Sequence, residues 1–335
     1  MANSPNINKE MHLIDALGQP TAKKPSRDGF GKALVELGEQ HNHIWVMTAD
    51  VSESTRTHWF AEKFPERFVQ IGVAEQNMAG VAAGIASCED SVVFISAYGV
   101  FNPGRNWDQV RVALCYNDVN VKLHGSHTGI TVGPDGASHQ ALEDMAITRV
   151  IPNMAVIAPA DAEEARKATI AAFERKGPVY IRTCREKMPV FTTAATPFQI
   201  GKANVYRDGR DLAIFPCGPQ VYESLVAAEA LEKEGVSCAV VDFHTIKPLD
   251  ADAVRAWAKK VKMIITVEEH QIDGGLGGAV AEVLAEIGSG CVLRRHGIHD
   301  QFCESAEGNE LLKKYRLDAA GITEVVRESW KGAKK

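Results

Sequence analysis

The run VQIGVAEQNMAGVAAGIA, residues 69–86, decides how this chain is read. A short apolar strand ends at Gly72, and a helix rich in Ala and Gly opens after it, predicted over 75–87. Strand followed at once by helix is the unit of a parallel α/β sheet. The same alternation continues outward. Runs of Val and Ile predict strands at 44–48, 92–96, 119–124, 154–158 and 178–182, with helices at 27–40, 104–116 and 161–175 between them. Asp161 is placed to cap the last helix, with Glu164 closing a capping box. A threonine-rich stretch with two prolines, 186–200, has no clear period and reads as a linker. A second series follows, with strands at 211–217, 237–242, 262–268 and 291–296 and helices at 219–234, 250–260 and 276–287. The expected fold is α/β, two tandem three-layer α/β/α domains, with ligands at the carboxyl ends of the strands. The divisions are an arm at 1–25, a domain at 26–190, a linker at 191–200 and a domain at 201–335.

The 335 residues are 45% hydrophobic and 24% charged, an ordinary globular balance. The formal net charge of −6 argues against a general nucleic-acid surface, while leaving room for a local basic pocket. No apolar stretch reaches the roughly 18–20 residues of a membrane span. The polar segment Met1 to Pro25 lacks a signal peptide's core and reads as a loose arm or one ordered on a neighbour. Seven scattered cysteines without a C-x-x-C pair read as reduced, buried thiols of a cytoplasmic protein.

Four clusters carry candidate chemistry. Glu75 stands at the strand-to-helix junction, where a carboxylate also suits the positive end of the helix dipole. Tyr98 and Phe101 follow a strand as candidate stacking faces or as core filling, and Arg105 follows them, facing an anion or a carboxylate. The glycine-rich loop GSHTGITVGPDGASHQ, 125–140, carries His127, Asp135 and His139. Their spacing is not that of helical metal ligands and no cysteine joins them, so no metal site is expected there. Asp50 and Ser54 in TADVSEST, Arg185 in IRTCREKMP and Arg27 in PSRDGF add a hydroxyl, a carboxylate and two guanidiniums, for which surface ion pairs are the plain alternative. The later run VEEHQIDGGLGG, 267–278, lacks the lysine and context of a nucleotide loop and reads as tight strand-to-helix packing and dimer contact.

Taken together these motifs resemble the transketolase family, over nearly all of the chain beyond residue 25 but only over the family's second and third domains. The resemblance implies a pyrimidine-binding domain for thiamine diphosphate, then a transketolase C-terminal-like domain. It places Glu75 beside the cofactor's aminopyrimidine, where hydrogen bonding to a ring nitrogen promotes the tautomer that takes the proton from thiazolium carbon. General acid–base work of that kind is worth about 10² to 10⁴ in rate. Tyr98, replacing the usual phenylalanine, and Phe101 flank the ring; Asp50 lies near the cofactor, with Arg105 a further candidate contact. The H-x7-D-x3-H pattern of the loop implies that His127 meets the donor and its phosphate. Asp135 binds a substrate hydroxyl, and His139 lies near the oxygens of the reacting carbons. Ser54, Arg185 and Arg27 face the substrate phosphate.

The family's G-D-G and later asparagines, which hold diphosphate and Mg2+ or Ca2+, have no counterpart here beyond Pro134-Asp135-Gly136 in the substrate loop. The resemblance therefore implies a separate N-terminal subunit, an α2β2 assembly and sugar phosphate substrates, with no nucleic acid or membrane partner. The expected activity is transfer of a two-carbon ketol unit. Alternatives are the β subunit of a 2-oxo-acid dehydrogenase, a deoxyxylulose-phosphate synthase fragment, which has aspartate where His127 stands, a transketolase for an unusual branched or sulfonated sugar, and a silent scaffold subunit.

Overall fold

The computed structural model describes residues 6–14, 22–88 and 90–333. Two sheets organise it. The first has seven strands in the order Thr245–Lys247, Ala155–Ile157, Val179–Arg182, Val121–Ser126, Val92–Tyr98, Ile44–Thr48 and Phe68–Gln70. All neighbours are parallel except Thr245–Lys247, which runs against Ala155–Ile157. The second has five, in the order Val292–Ile298, Met263–Gln271, Leu212–Pro216, Cys238–Asp242 and Asn204–Arg207, the last antiparallel.

Central strands such as Val121–Ser126 and Leu212–Pro216 are buried along their whole length, because helices cover both faces of each sheet. On one side of the first sheet, Ser26–Gln40 packs on Ala162–Glu174, with Phe30, Leu34, Ile44 and Phe94 closing a core. Each such apolar side chain contributes about 1.5–3 kcal/mol on burial. The Asp161 cap forms, accepting from Glu164 N at 2.9 Å, but the predicted box is not reciprocal. Glu164 Oε2 accepts from Ala160 N at 2.6 Å, one residue earlier than a capping box requires.

Three other expectations change. The predicted helix at 104–116 begins as Trp107–Gln109 and continues as a π-helix, Val110–Tyr116, a wider coil that keeps a helix-like apolar pattern. The described parts of the expected arm, 6–14 and 22–25, are tied to their own chain rather than loose, Lys23–Lys24 pairing antiparallel with Met188–Pro189. Asn8 N donates to Tyr206 O and Ile14 N to Phe191 O, each at 3.0 Å; residues 1–5 and 15–21 of that arm lie outside the described residues. All seven cysteines are unpaired, yet Cys88 is exposed and Cys291 half-buried, so not every thiol is a core residue.

Candidate active site

Five successive strand ends of the first sheet deliver the candidate residues to one edge, as expected for a parallel sheet. Asp50 and Ser54 follow Ile44–Thr48, Glu75 follows Phe68–Gln70, and Tyr98 ends Val92–Tyr98. His127 follows Val121–Ser126, and Arg185 follows Val179–Arg182. Arg27 joins them from the start of Ser26–Gln40.

Glu75 is the first residue of the helix Glu75–Ala86 and only 2% exposed. Arg105 Nη1 donates to its Oε2 at 2.9 Å, and Asn106 Nδ2 donates to its backbone carbonyl at 3.2 Å. Glu75 Oε1 accepts no hydrogen bond among the described residues. Arg105 thus pairs with a carboxylate, and that carboxylate is Glu75; its guanidinium also lies 4.4 Å above the Phe101 ring.

Tyr98, Phe101, His127 and His139 form one aromatic cluster. Tyr98 stacks on His127 with centroids 4.0 Å apart and lies nearly parallel to Phe101 at 6.2 Å, while His139 presents its edge to both. The Tyr98 hydroxyl donates to Ser54 Oγ at 3.3 Å. Tyr98 therefore adds a polar link from the aromatic cluster to the serine.

Beside this cluster is a cavity of about 230 Å³ lined by Arg27, Glu53, Ser54, Arg56, Tyr98, His127 and Arg185. Arg27 Nη1 donates to Ser54 O at 2.7 Å and lies 2.8 Å from His127 Nε2. A guanidinium has only donors, so His127 Nε2 accepts, and Nδ1 carries the proton toward Ser126 Oγ at 2.8 Å. His127 is consequently a neutral imidazole. Burial, followed by the charges of Arg27 and Arg185, pushes its pKa down to about 2. Behind it His124 is stacked on Phe30 at 3.6 Å and bonded to Ser96 Oγ and Thr183 Oγ1. Burial, then the charge of Arg27, lowers its pKa to about 3.

Asp135 and Arg185 meet at 3.1 Å, and Arg185 also donates to Val132 O at 3.2 Å. His139 Nδ1 is 2.9 Å from Ser138 Oγ. Asp50 is exposed, in a left-handed turn held by its N–H on Gln70 Oε1 at 2.7 Å, and does not line the cavity. The sequence reading passes over Arg56, whose Nε donates to Asp28 Oδ1 at 2.7 Å while its side chain lines the cavity. Nothing in SESTR distinguishes it from a surface charge. Among the described residues no group of three or more His, Cys, Asp or Glu is arranged to hold a metal ion.

The chain matches the transketolase pyrimidine-binding domain over residues 22–190 and the transketolase C-terminal domain over residues 201–322. A Methanocaldococcus jannaschii protein described as a transketolase C-terminal section is 45% identical over 310 residues, which cover 92% of this chain and 97% of that protein. One subunit of an apulose-4-phosphate transketolase from Phocaeicola vulgatus is 36% identical, covering 90% of this chain and 96% of its own. The transketolase of Homo sapiens is 35% identical over 91% of this chain but only 49% of its own length. Among solved structures, a split gene transketolase described as an inactive β4 tetramer matches with a TM-score of 0.85 at 40% identity, over 92% of this chain and 98% of that one. The chain belongs to the transketolase family, whose pyrimidine-binding and C-terminal domains it carries.

Proposed function

We propose that this chain is one half of a two-chain transketolase, transferring a two-carbon ketol unit from a ketose phosphate to an aldose phosphate. The observation that carries the reading is the meeting, at one sheet edge, of a buried carboxyl at Glu75 with an arginine-lined cavity beside His127. When bound, thiamine diphosphate supplies the carbon nucleophile and the electron sink for the transferred fragment. The residues fit its aminopyrimidine end: Glu75 offers an Oε1 that accepts no hydrogen bond among the described residues, and the Phe101 ring stands beside those of Tyr98 and His139. Diphosphate and its Mg2+ or Ca2+ are assigned to a separate N-terminal subunit. That assignment is supported by the Phocaeicola vulgatus relative, itself one subunit of its enzyme, and by the half-length match to the Homo sapiens transketolase.

Within this chain each group then has a defined task. Glu75 hydrogen-bonds a ring nitrogen of the aminopyrimidine, and Asp50 lies near the cofactor. Arg27, Arg185 and Ser54 bind the phosphate, with Arg56 added by the cavity lining. His127, fixed as a neutral tautomer, contacts the donor and its phosphate without acting as a charged acid. Asp135 selects a substrate hydroxyl, and His139 meets the oxygens at the reacting carbons. An α2β2 assembly is proposed, located in the cytoplasm, where seven unpaired thiols stay reduced.

The test mixes this chain with its N-terminal partner, thiamine diphosphate and Mg2+. Ketol transfer to ribose 5-phosphate is then followed from xylulose 5-phosphate and from apulose 4-phosphate. Turnover by this chain alone would sink the two-chain reading. Full activity of Glu75→Ala would sink the role of the carboxyl. If Arg185→Ala left KM unchanged for phosphorylated and unphosphorylated donors alike, the cavity would not be a phosphate site.

A further inference from the structure

The second domain places no residue in the arginine-lined cavity, yet one set of its contacts with the first falls on the loop that carries His127, Asp135 and His139. Glu269, on the strand Met263–Gln271, is buried, and Thr131 N–H donates to its Oε1 at 2.6 Å. Gly129, at φ +77°, lies against the same carboxyl; a Cβ there would stand 2.3 Å from Glu269 Cδ. At the far end of the loop, Gly136, at φ +72°, comes equally close to Ser305, whose Oγ would be 2.1 Å from an added Cβ. Gln140 Nε2 donates to Glu304 O at 3.1 Å. Between these points the turn Ile130–Asp135 packs against the helix Gly308–Lys314. Glu269 is itself held from the first domain, since Arg182 Nη2 donates to its carbonyl at 2.6 Å while Arg182 Nε donates to Asp144 Oδ2 at 2.8 Å.

The adjacent Glu268 has a different task. Its two oxygens accept from Leu276 and Gly277 N–H at 2.7 and 2.8 Å, capping the helix Leu276–Glu286. Of the two neighbouring glutamates, one serves its own domain and the other reaches into the loop of the first. Both left-handed glycines lie where the second domain presses in, so the loop path is moulded from outside.

We infer that Glu269 is a positioning residue, which through Thr131 fixes the path of the ligand loop, with the segment Glu304–Ser305 as the second point of attachment. The second domain thereby contributes to substrate binding without touching substrate. This assignment rests on the loop's being the substrate loop, as proposed above, but the order of the loop can be measured without turnover.

Amide hydrogen exchange over residues 127–140 is compared in the folded chain for the unaltered protein, Glu269→Ala, Glu269→Gln and Leu231→Ala. Leu231 is a buried residue of the second domain on the helix Gln220–Lys233, away from the loop, and serves as a matched loss of stability. Glu269→Ala is expected to speed exchange at Thr131 and its neighbours about tenfold, since a buried hydrogen bond of 2.6 Å is lost. Glu269→Gln, whose amide oxygen still accepts from Thr131, restores most of the protection. Unchanged exchange in Glu269→Ala, or equal acceleration in Leu231→Ala, overturns the inference. Should Glu269→Ala not fold, Glu269→Asp withdraws the carboxyl by one methylene and gives the same comparison. In the enzyme assembled with its partner, Glu269→Ala raises donor KM more than it lowers kcat, whereas Glu75→Ala removes kcat. If the assembled enzyme shows no ketol transfer at all, the functional reading fails while the exchange result still decides the positioning role.

Discussion

Where the two domains meet, Glu164 of the helix Ala162–Glu174 and Asp242 at the end of Cys238–Asp242 are both buried and interact directly. Tyr206 Oη donates to Glu164 Oε1 at 3.0 Å and Ala160 N to Oε2 at 2.6 Å. Asp242 meets no strict hydrogen-bond geometry, so repulsion and lost hydration, rather than a good bond, govern the pair. Burial raises both carboxyls, Glu164 to about 6 and Asp242 well above its usual range, the latter helped by the Glu164 charge. The folded protein therefore holds protons that the unfolded chain releases. The stability this provides is full below the ordinary glutamate pKa of 4.5 and is lost as pH rises through about 6, with a further loss as Asp242 ionises. For Glu164 alone, the interval from 4.5 to about 6 corresponds to about 2 kcal/mol. Asp242→Asn replaces the titrating carboxyl with an amide that stays neutral at every pH and can donate to Glu164. Relative to the unaltered chain it should gain up to about 1.4 kcal/mol for each pH unit, between pH 5 and pH 8, over which folded Asp242 keeps its proton, or about 3–6 °C in Tm per unit. Thermal melts of both proteins at half-unit pH intervals measure the difference. Parallel melting curves across that range would refute the account, because the pair would then not titrate as a unit.

Two further predictions concern the site itself. Arg27→Met removes the donor to His127 Nε2 and the largest charge acting on it; the imidazole should titrate above 2 but still below 6.5, because burial remains. Histidine NMR reads that change, and the affinity for inorganic phosphate should fall about 10- to 100-fold, the loss of a charge-assisted bond. Arg105→Ala strips the partner from buried Glu75 and should cost about 1–3 kcal/mol in urea unfolding, while adding Glu75→Gln recovers part of it; simple additivity in that double-mutant cycle would deny the pair any coupling.

Much of this arrangement is legible in the sequence because its signals are local. Residues 92–95 and Leu212–Pro216 are continuous apolar runs, and sheets covered on both faces require such runs. The H-x7-D-x3-H spacing survives as text because one loop carries all three residues. What escapes the sequence is pairing at a distance. Thr245–Lys247 joins the first sheet from the second half of the chain, and a three-residue strand has too few positions to show alternation. Arg105 is equally readable as an anion contact; only folding reveals that Glu75, thirty residues earlier, accepts its hydrogen bond. Arg27, the weaker-looking arginine, sits directly on His127, because the helix start at Ser26 is carried to the end of Val121–Ser126. Glu269 has no local mark at all, since its partner Thr131 lies 138 residues away.

The three arginines of the cavity are not equivalent, and their differences bear on how an anion would enter. Arg56 is committed to Asp28 at 2.7 Å and to Glu53 O at 2.9 Å. Arg27 forms no ion pair among the described residues; its guanidinium is spent on a backbone carbonyl and a neutral imidazole, and the Asp28 charge acts on it from a distance against those of Arg56 and Arg185. Arg185 holds Asp135 at 3.1 Å with both side chains substantially exposed, 41% and 30%, the class of pair worth about 1 kcal/mol or less. A phosphate arriving between Arg27 and Arg185 therefore gains a guanidinium that no carboxylate pairs directly and displaces only a weak partner. On the proposed function, that exchange frees Asp135 when the sugar hydroxyls arrive. Occupancy of the phosphate position and availability of the hydroxyl-selecting carboxylate are then one event, and an unphosphorylated donor would lose selectivity as well as affinity.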